Sequence, residues 1–296
     1  GRTWITADAR VDGRADLVRE LTAHGSHGLR DATDTALILH AYRVWGESCV
    51  RNLLGDFAFA IWDGERRRLF CARDHFGVKP LFYAQGSGFI VFSSSLACVR
   101  LHPRVSRALD DQAIADFLRV GSIEEPAMTC FAGIRRLPAA HDLIGETRVR
   151  VKRYWTLPVD GEVRYRRGTE YIEHFTNLLT RAVDDRLRSR SVGVLMSGGL
   201  DSTTIAATAK RCLAADPRPF DLRAYTTVCD RLVDDPERRY AQLTADALAI
   251  PIHYRVVDDY RMFERWDKAE LRRAEPEADP LLAVHVDQLS DAAANG

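Results

Sequence analysis

The sequence predicts two domains of mixed architecture, an α+β unit followed by an α/β unit built on a parallel sheet. Three observations lead there. The chain has 296 residues, and single hydrophobic cores stop growing at about 250–300 residues, most dividing earlier. As far as Tyr154, short aromatic and aliphatic runs are separated by Asp-Gly, Phe-Gly and Gly-Ser-Gly turns, the rhythm of antiparallel hairpins. Beyond Thr169, strand and helix patterns alternate, as crossover helices on a parallel sheet require.

The totals narrow the classes of function. Hydrophobic residues make up 46% and charged residues 28%, as in a globular protein. The 42 basic and 42 acidic side chains cancel, so charge gives no reason for a nucleic-acid or acidic-membrane partner. No apolar run approaches the roughly 20 residues of a membrane span. Arg2, Asp8 and Arg10 leave no secretory signal in the opening residues. Cys49, Cys71, Cys98, Cys130, Cys212 and Cys229 are scattered without a CxxC pair, as expected of reduced thiols in a cytoplasmic protein. The chain opens on Gly1 in mid-strand pattern and stops behind a helical pattern, so both ends read as interrupted.

The elements follow in order. Residues 3–11 suit a strand, and Asp34-Thr35 can cap a helix carrying Leu37, Leu39 and Tyr42. Residues 57–62, 68–72, 81–84 and 89–93 read as hairpin strands, and 110–120 as a helix. A last hairpin, 139–144 with 148–154, turns about Gly145. The first domain is assigned to residues 1–158, a polar linker to 159–169 and the second domain to 170–296. There a helix over 171–188 sets Ile172, Phe175, Leu178, Leu179, Ala182 and Val183 on one face. Residues 192–196 form a continuous apolar strand of the kind buried on both faces. A helix over 202–213, a strand over 222–228, a helix over 236–249 and a strand over 252–257 follow, with two more helices after them.

The residues that carry chemistry are Ser197-Gly198-Gly199-Leu200-Asp201-Ser202, set between that strand and its helix. Glycines permit tight backbone angles and leave no Cβ to hold a phosphate away. N–H groups at a helix start, with the helix dipole, favour an anion. Ser197 and Ser202 add hydroxyl donors; Asp201 suits a helix cap or a ligand shared with Mg²⁺. The plainer alternative is a Gly-rich turn with Asp201 as an ordinary cap, but the complete string in this context favours a nucleotide loop. It lacks the Gly-Lys-Ser/Thr of a Walker A loop and is not GxGxxG.

SGGxDS resembles the pyrophosphate-binding motif of the ATP pyrophosphatase families, which cleave ATP to AMP and pyrophosphate while adenylating a substrate. The resemblance implies ATP and Mg²⁺, with the backbone around Leu195 and Thr227 facing the adenosine. The first domain is similar to the glutaminase domain of the asparagine synthetase family. The segments that carry this are Gly55-Asp56-Phe57-Ala58-Phe59-Ala60-Ile61-Trp62-Asp63, Arg73-Asp74-His75-Phe76-Gly77-Val78-Lys79-Pro80-Leu81-Phe82-Tyr83, Gly133-Ile134-Arg135-Arg136-Leu137-Pro138 and Arg153-Tyr154-Trp155. It implies an incomplete Ntn-hydrolase-like αββα sandwich, then an ATP pyrophosphatase domain (adenine nucleotide alpha hydrolase-like) incomplete at its C-terminus.

The family's N-terminal cysteine nucleophile has no counterpart, and its Asn-Gly-Glu segment aligns with Ala7-Asp8-Ala9, so glutamine hydrolysis is not expected. Asp34 matches the family aspartate that holds the glutamine α-amine; a helix N-cap is an equal reading. Arg73 and Asp74 are expected to form a buried ion pair, and His75 to be scaffold. The second acidic motif of the family, SGEGxDE, and a later lysine are not matched. The implied activity is an AMP-forming amide ligase, with aspartate or another carboxylate adenylated for attack by ammonia or another amine. A lasso-peptide cyclase or β-lactam-synthetase-like relative and a non-catalytic ATP-binding protein are the alternatives, and a homodimer is left open. His24 and His27 lack a third metal ligand, and Arg66–Arg68 and Arg164–Arg167 read as solvated turns.

Overall fold

The computed structural model describes residues 3–295. Gly1, Arg2 and Gly296, where the interrupted ends were expected, lie outside the described residues. Two compact units divide the chain: Gly1–Gly161 with Arg273–Ala278, and Glu162–Arg272 with Asp279–Gly296.

The first unit opens with β1 (Thr3–Asp12), α1 (Arg14–Ala23) and α2 (Asp34–Trp45). It continues through β2 (Leu54–Asp63), β3 (Arg68–Arg73), β4 (Phe82–Gly86), β5 (Phe89–Ser93), α3 (Leu96–Arg100) and α4 (Asp111–Val120). The last strands are β6 (Arg135–Arg136), β7 (His141–Gly145) and β8 (Val149–Arg153). A five-stranded antiparallel sheet runs β1-β2-β3-β7-β8, and a three-stranded one β5-β4-β6. Alternation along the strands sorts the side chains between two faces. Phe57, Phe59, Ile61 and Phe70 pack with Leu21 and Leu37 of α1 and α2. Ala58, Ala60, Leu69 and Cys71 face the second sheet and meet Leu81, Leu137 and Leu143. On the far side of that second sheet, Phe82 and Ala84 pack with Leu96 and Val99 of α3. The layers are therefore helix, sheet, sheet, helix. A cleft of about 830 Å³ lies between the sheets, lined by Trp4, Trp62, Leu69, Phe89 and Ile90.

Local details explain the motif residues. Gly55 sits at φ +121°, and a Cβ there would lie 2.1 Å from the Arg10 carbonyl oxygen, so no other residue fits β2 against β1. Arg73 and Asp74 do not form the expected pair with each other. The buried Asp74 carboxylate accepts the backbone N–H groups of Phe57, Phe76, Val78 and Lys79. Arg73 donates to the carbonyls of Gly77, Lys79 and Leu137. Together they satisfy both kinds of backbone group in one tight loop. The helices α1 and α3 were not read from the sequence. Among the residues of α1 only Leu17 and Leu21 are buried, and α3 has five residues, so neither shows a full apolar stripe.

The second unit contains α5 (Gly168–Asp184), β9 (Ser191–Leu195), α6 (Leu200–Ala214), β10 (Asp221–Val228), α7 (Glu237–Leu248), β11 (Ile252–Val256) and α8 (Leu282–Ala294). Its sheet is parallel in the order β11-β10-β9, with Met196, Ala206, Ala209, Leu213, Leu222 and Ala224 in the core. Three expectations are corrected. β9 is not buried on both faces: its residues alternate between exposed and half-buried, Leu195 being 52% exposed, and among the described residues it pairs with β10 alone. The apolar stripe of α5 is only half used, since Val183 is buried while Ile172, Phe175 and Leu178 stay exposed. Among the described residues one α-helix rather than two follows β11, preceded by a 3₁₀ turn at Ala269–Leu271.

Candidate nucleotide site

Parallel pairing sets the carboxyl ends of the strands side by side. Leu195 lies opposite Tyr225, and Val228 opposite Val256. After β9 the buried Met196 donates its N–H to Tyr225 and accepts the Thr226 hydroxyl on its carbonyl. Tied on both sides, the chain leaves the sheet at Ser197 and enters α6 at Leu200, with Gly199 as N-cap. Asp201 therefore lies in the first turn of α6 and is not its cap. Its carboxylate, like the Leu200 side chain, is exposed.

Hydroxyls close the turn. Ser202 Oγ accepts the Ser197 N–H at 3.0 Å and lies 3.0 Å from Ser197 Oγ, which accepts the Gly199 N–H at 3.2 Å. The Gly198 N–H goes to Glu237 Oε2 at 2.5 Å. The glycines do not serve tight angles as expected. Neither has a positive φ, and Gly199 is extended at φ −79° and ψ 163°. Gly198 is needed for packing, because a Cβ there would lie 2.6 Å from Tyr240 Cβ on α7.

Leu195, Ser197, Ser202 and Thr227 line a cavity of about 420 Å³ at the strand ends, and Gly198, Gly199, Leu200 and Asp201 continue from it into α6. Sequence reasoning missed Cys229, Asp235, Glu237 and Gln288 on the same walls. For Asp235 and Glu237 the available signal was the acidic Asp234-Asp235-Pro236-Glu237 string between the second strand and its helix. Asp235 holds this wall, accepting the N–H groups of Cys229 at 3.1 Å and Glu237 at 2.9 Å. Asp258, also unforeseen, accepts those of Asp230, Arg231 and Leu232. These N–H donors, that of Asp230 foremost, hold the Asp258 carboxyl below its ordinary range. Burial, then the Asp258 and Asp235 carboxylates, push the Cys229 thiol up, away from nucleophile chemistry.

The first unit gathers its expected site residues less completely. The cap of α2 is Thr33, whose Oγ1 accepts the Ala36 N–H at 3.2 Å, so Asp34 is not the N-cap. The Asp34 carboxylate accepts the Val11 N–H at 3.0 Å and pairs with Arg14 at 2.5 Å. Ala7 and Ala9 pack against the core beneath α1 and α2, and Ala7 also lines a small pocket with Leu81, Phe92 and Ser93. Asp8 between them pairs with Lys79 at 2.8 Å. His75 lies among the rings of Phe57, Tyr154 and Trp155, a packing role. Burial pushes the Cys49 thiol up to about 12 and raises that of Cys71 as well. Among the described residues no group of three or more His, Cys, Asp or Glu could hold a metal ion, and no helix is long and apolar enough to cross a membrane.

An antiparallel two-sheet unit is thus followed by an α/β unit whose parallel sheet carries a glycine turn at its strand ends. Residues 1–155 match the glutamine amidotransferase domain family and residues 174–285 the asparagine synthase family. The first match covers just over half of the chain, which belongs to the asparagine synthetase family. It is 35% identical over 196 residues to asparagine synthetase [glutamine-hydrolyzing] 3 of Bacillus subtilis, covering 66% of this chain and 31% of that protein. Asparagine synthetase [glutamine-hydrolyzing] 2 of the same organism is 29% identical over 259 residues, 82% of this chain and 33% of its own. Amidase chyE of Penicillium rubens is 26% identical over 250 residues, 80% of this chain and 36% of its own. The chain thus spans about a third of the length of these relatives. Among solved structures, the glutamine phosphoribosylpyrophosphate amidotransferase from B. subtilis reaches a TM-score of 0.36 at 14% identity, covering 96% of this chain and 50% of that one.

Proposed function

We propose that the second domain holds ATP and that the complete protein is an AMP-forming amide ligase of the asparagine synthetase type. The observation that carries this is the Ser197–Ser202 turn, opening α6 beside a cavity lined by Leu195 and Thr227 at the strand ends. The adenosine takes that cavity, and the β- and γ-phosphoryl groups take the turn and the α6 N-terminus, where N–H groups and the helix dipole favour an anion. An oxygen of the substrate carboxylate, aspartate by family likeness, attacks the α-phosphorus. The bond from the α-phosphorus to the bridging oxygen breaks, and pyrophosphate leaves with that electron pair, its charge held by the turn. Ammonia or another amine then attacks the acyl carbon, expels AMP and loses a proton as the amide forms. Ser197 and Ser202 orient the leaving group, and the close fit of Gly198 against α7 fixes the turn for that task.

Mg²⁺ suits this reading. It binds commonly through one or two carboxylates and substrate phosphates while keeping several waters, and the exposed Asp201 on the first turn of α6 can supply one carboxylate. Bound there it would neutralise charge on the phosphates. The first domain we read as not hydrolysing glutamine, supported by Asp34 being engaged by Arg14 and Asp8 by Lys79.

Titration of this chain with Mg-ATP, followed by amide NMR, tests the nucleotide reading. Signals of residues 197–202 should move, and unmoved signals overturn it. Formation of asparagine with AMP from aspartate and ammonia by the complete protein identifies the parent reaction. AMP release only with some other carboxylate favours a cyclising relative instead. Gly198→Val is a poor probe, because it displaces α7 whatever the ligand.

A further inference from the structure

We infer that Glu237 is a resident anion that occupies the phosphate turn until Mg²⁺-bound phosphate displaces it; this rests on the nucleotide reading above. An oxygen of the Glu237 carboxylate takes the N–H of Gly198 at 2.5 Å, at the position where that reading puts a phosphoryl oxygen. The neighbouring N–H groups of Ser197 and Gly199 are satisfied by uncharged hydroxyls, so Glu237 is the one charged acceptor among these bonds within the turn.

Its position is enforced. Glu237 begins α7, and the Asp235 carboxylate accepts its backbone N–H at 2.9 Å and that of Cys229 at 3.1 Å. Gly198 touches the same helix turn so closely that a Cβ would meet Tyr240 Cβ at 2.6 Å and the Glu237 carbonyl oxygen at 3.3 Å. The two backbones already lie in close contact, and the Glu237 side chain can yield by rotating about its own bonds into the cavity it lines. A free phosphate anion approaching the Gly198 N–H meets this carboxylate at short range, where like charges repel strongly. A magnesium complex brings less net charge, and its cation offers the displaced carboxylate a partner. The turn thereby discriminates against metal-free phosphates without needing a dedicated metal cluster.

The test is calorimetric titration of the 296-residue chain with inorganic pyrophosphate, in EDTA and in excess Mg²⁺. The variants are Glu237→Gln, which keeps an oxygen able to accept the Gly198 N–H, and Glu237→Ala, with amide exchange confirming that each is folded. In EDTA both variants should bind pyrophosphate about tenfold more tightly than the parent chain, equivalent to about 1.4 kcal/mol. In Mg²⁺ the gap should shrink to within about twofold, about 0.4 kcal/mol. Equal affinities in EDTA, or weaker binding by folded Glu237→Gln in either buffer, overturn the inference while leaving the nucleotide reading in place. If neither the parent chain nor the variants bind pyrophosphate or Mg-ATP, the nucleotide reading itself falls and the inference with it.

Discussion

The Glu275 carboxylate lies 2.5 Å from Arg136 Nη2, although 139 residues separate the two in sequence. The same carboxylate accepts the Cys130 N–H at 2.8 Å, and residues 273–278 are thereby built into the first compact unit.

Glu275→Ala strips both a half-buried guanidinium and a backbone N–H of their partner. The expected cost is about 2 kcal/mol, the penalty of leaving buried polar groups unsatisfied, or about 4–8 °C in the melting temperature of a unit this size. Glu275→Gln should cost less, since its amide oxygen still serves Cys130. Thermal melts of the three proteins decide; an unchanged midpoint in Glu275→Ala would show the link to be idle.

Ser202→Ala removes the acceptor of the Ser197 N–H and the hydroxyl neighbour of Ser197 Oγ. In the nucleotide reading the Ser202 hydroxyl also donates to the pyrophosphate, and a net hydrogen bond contributes about 1 kcal/mol, so affinity for Mg-ATP should fall about fivefold. Isothermal titration checks it. Undiminished affinity would remove Ser202 from the site.

Acid should weaken the first unit through His75. Burial holds its pKa below the ordinary 6.5, with the Asp74 charge opposing the shift. The unfolded chain then binds the proton more readily, so stability falls as pH drops through 6.5 and levels off below the folded value. His75→Phe keeps a ring among Phe57, Tyr154 and Trp155 and should flatten this part of the profile. Urea midpoints from neutral to mildly acidic pH, compared between the two proteins, provide the check.

Asp258 works in the same sense, in a more acidic window. Its folded pKa lies below the ordinary 3.8, so its contribution is complete above that value and is lost as pH falls through the folded one. Asp258→Asn leaves one carbonyl oxygen for three N–H groups. Amide exchange of Asp230, Arg231 and Leu232 should accelerate in the variant at neutral pH, and unchanged exchange would contradict the anchoring role.

Much of the fold was legible because its strands alternate cleanly. Phe57, Phe59 and Ile61 against Ala58 and Ala60 report a sheet with two different faces, and the structure has one. The turn at Ser197–Ser202 was legible as a string, since a strand, two glycines and a helix start are all local. What stayed hidden was tertiary. Nothing local says that β9 is paired on one flank only among the described residues, because its apolar run reads the same whether one flank or both are paired. The packing reason for a glycine at 198, the approach of Tyr240, depends on a helix that begins 39 residues further along the chain. Glu237 and Asp258 were missed for the same cause: a carboxylate serving backbone N–H groups carries no signature until the chain is folded.

The one-sided pairing of β9 also governs how the turn breathes. Among the described residues β9 is laced to β10 along one flank only, so the platform beneath Ser197 owes its rigidity to a single ladder, with Met196 and Thr226 as its last rungs. Solvent deuterium should therefore enter residues 191–195 well before 222–228. Any strand that came to lie along the open flank would stiffen the turn without touching it.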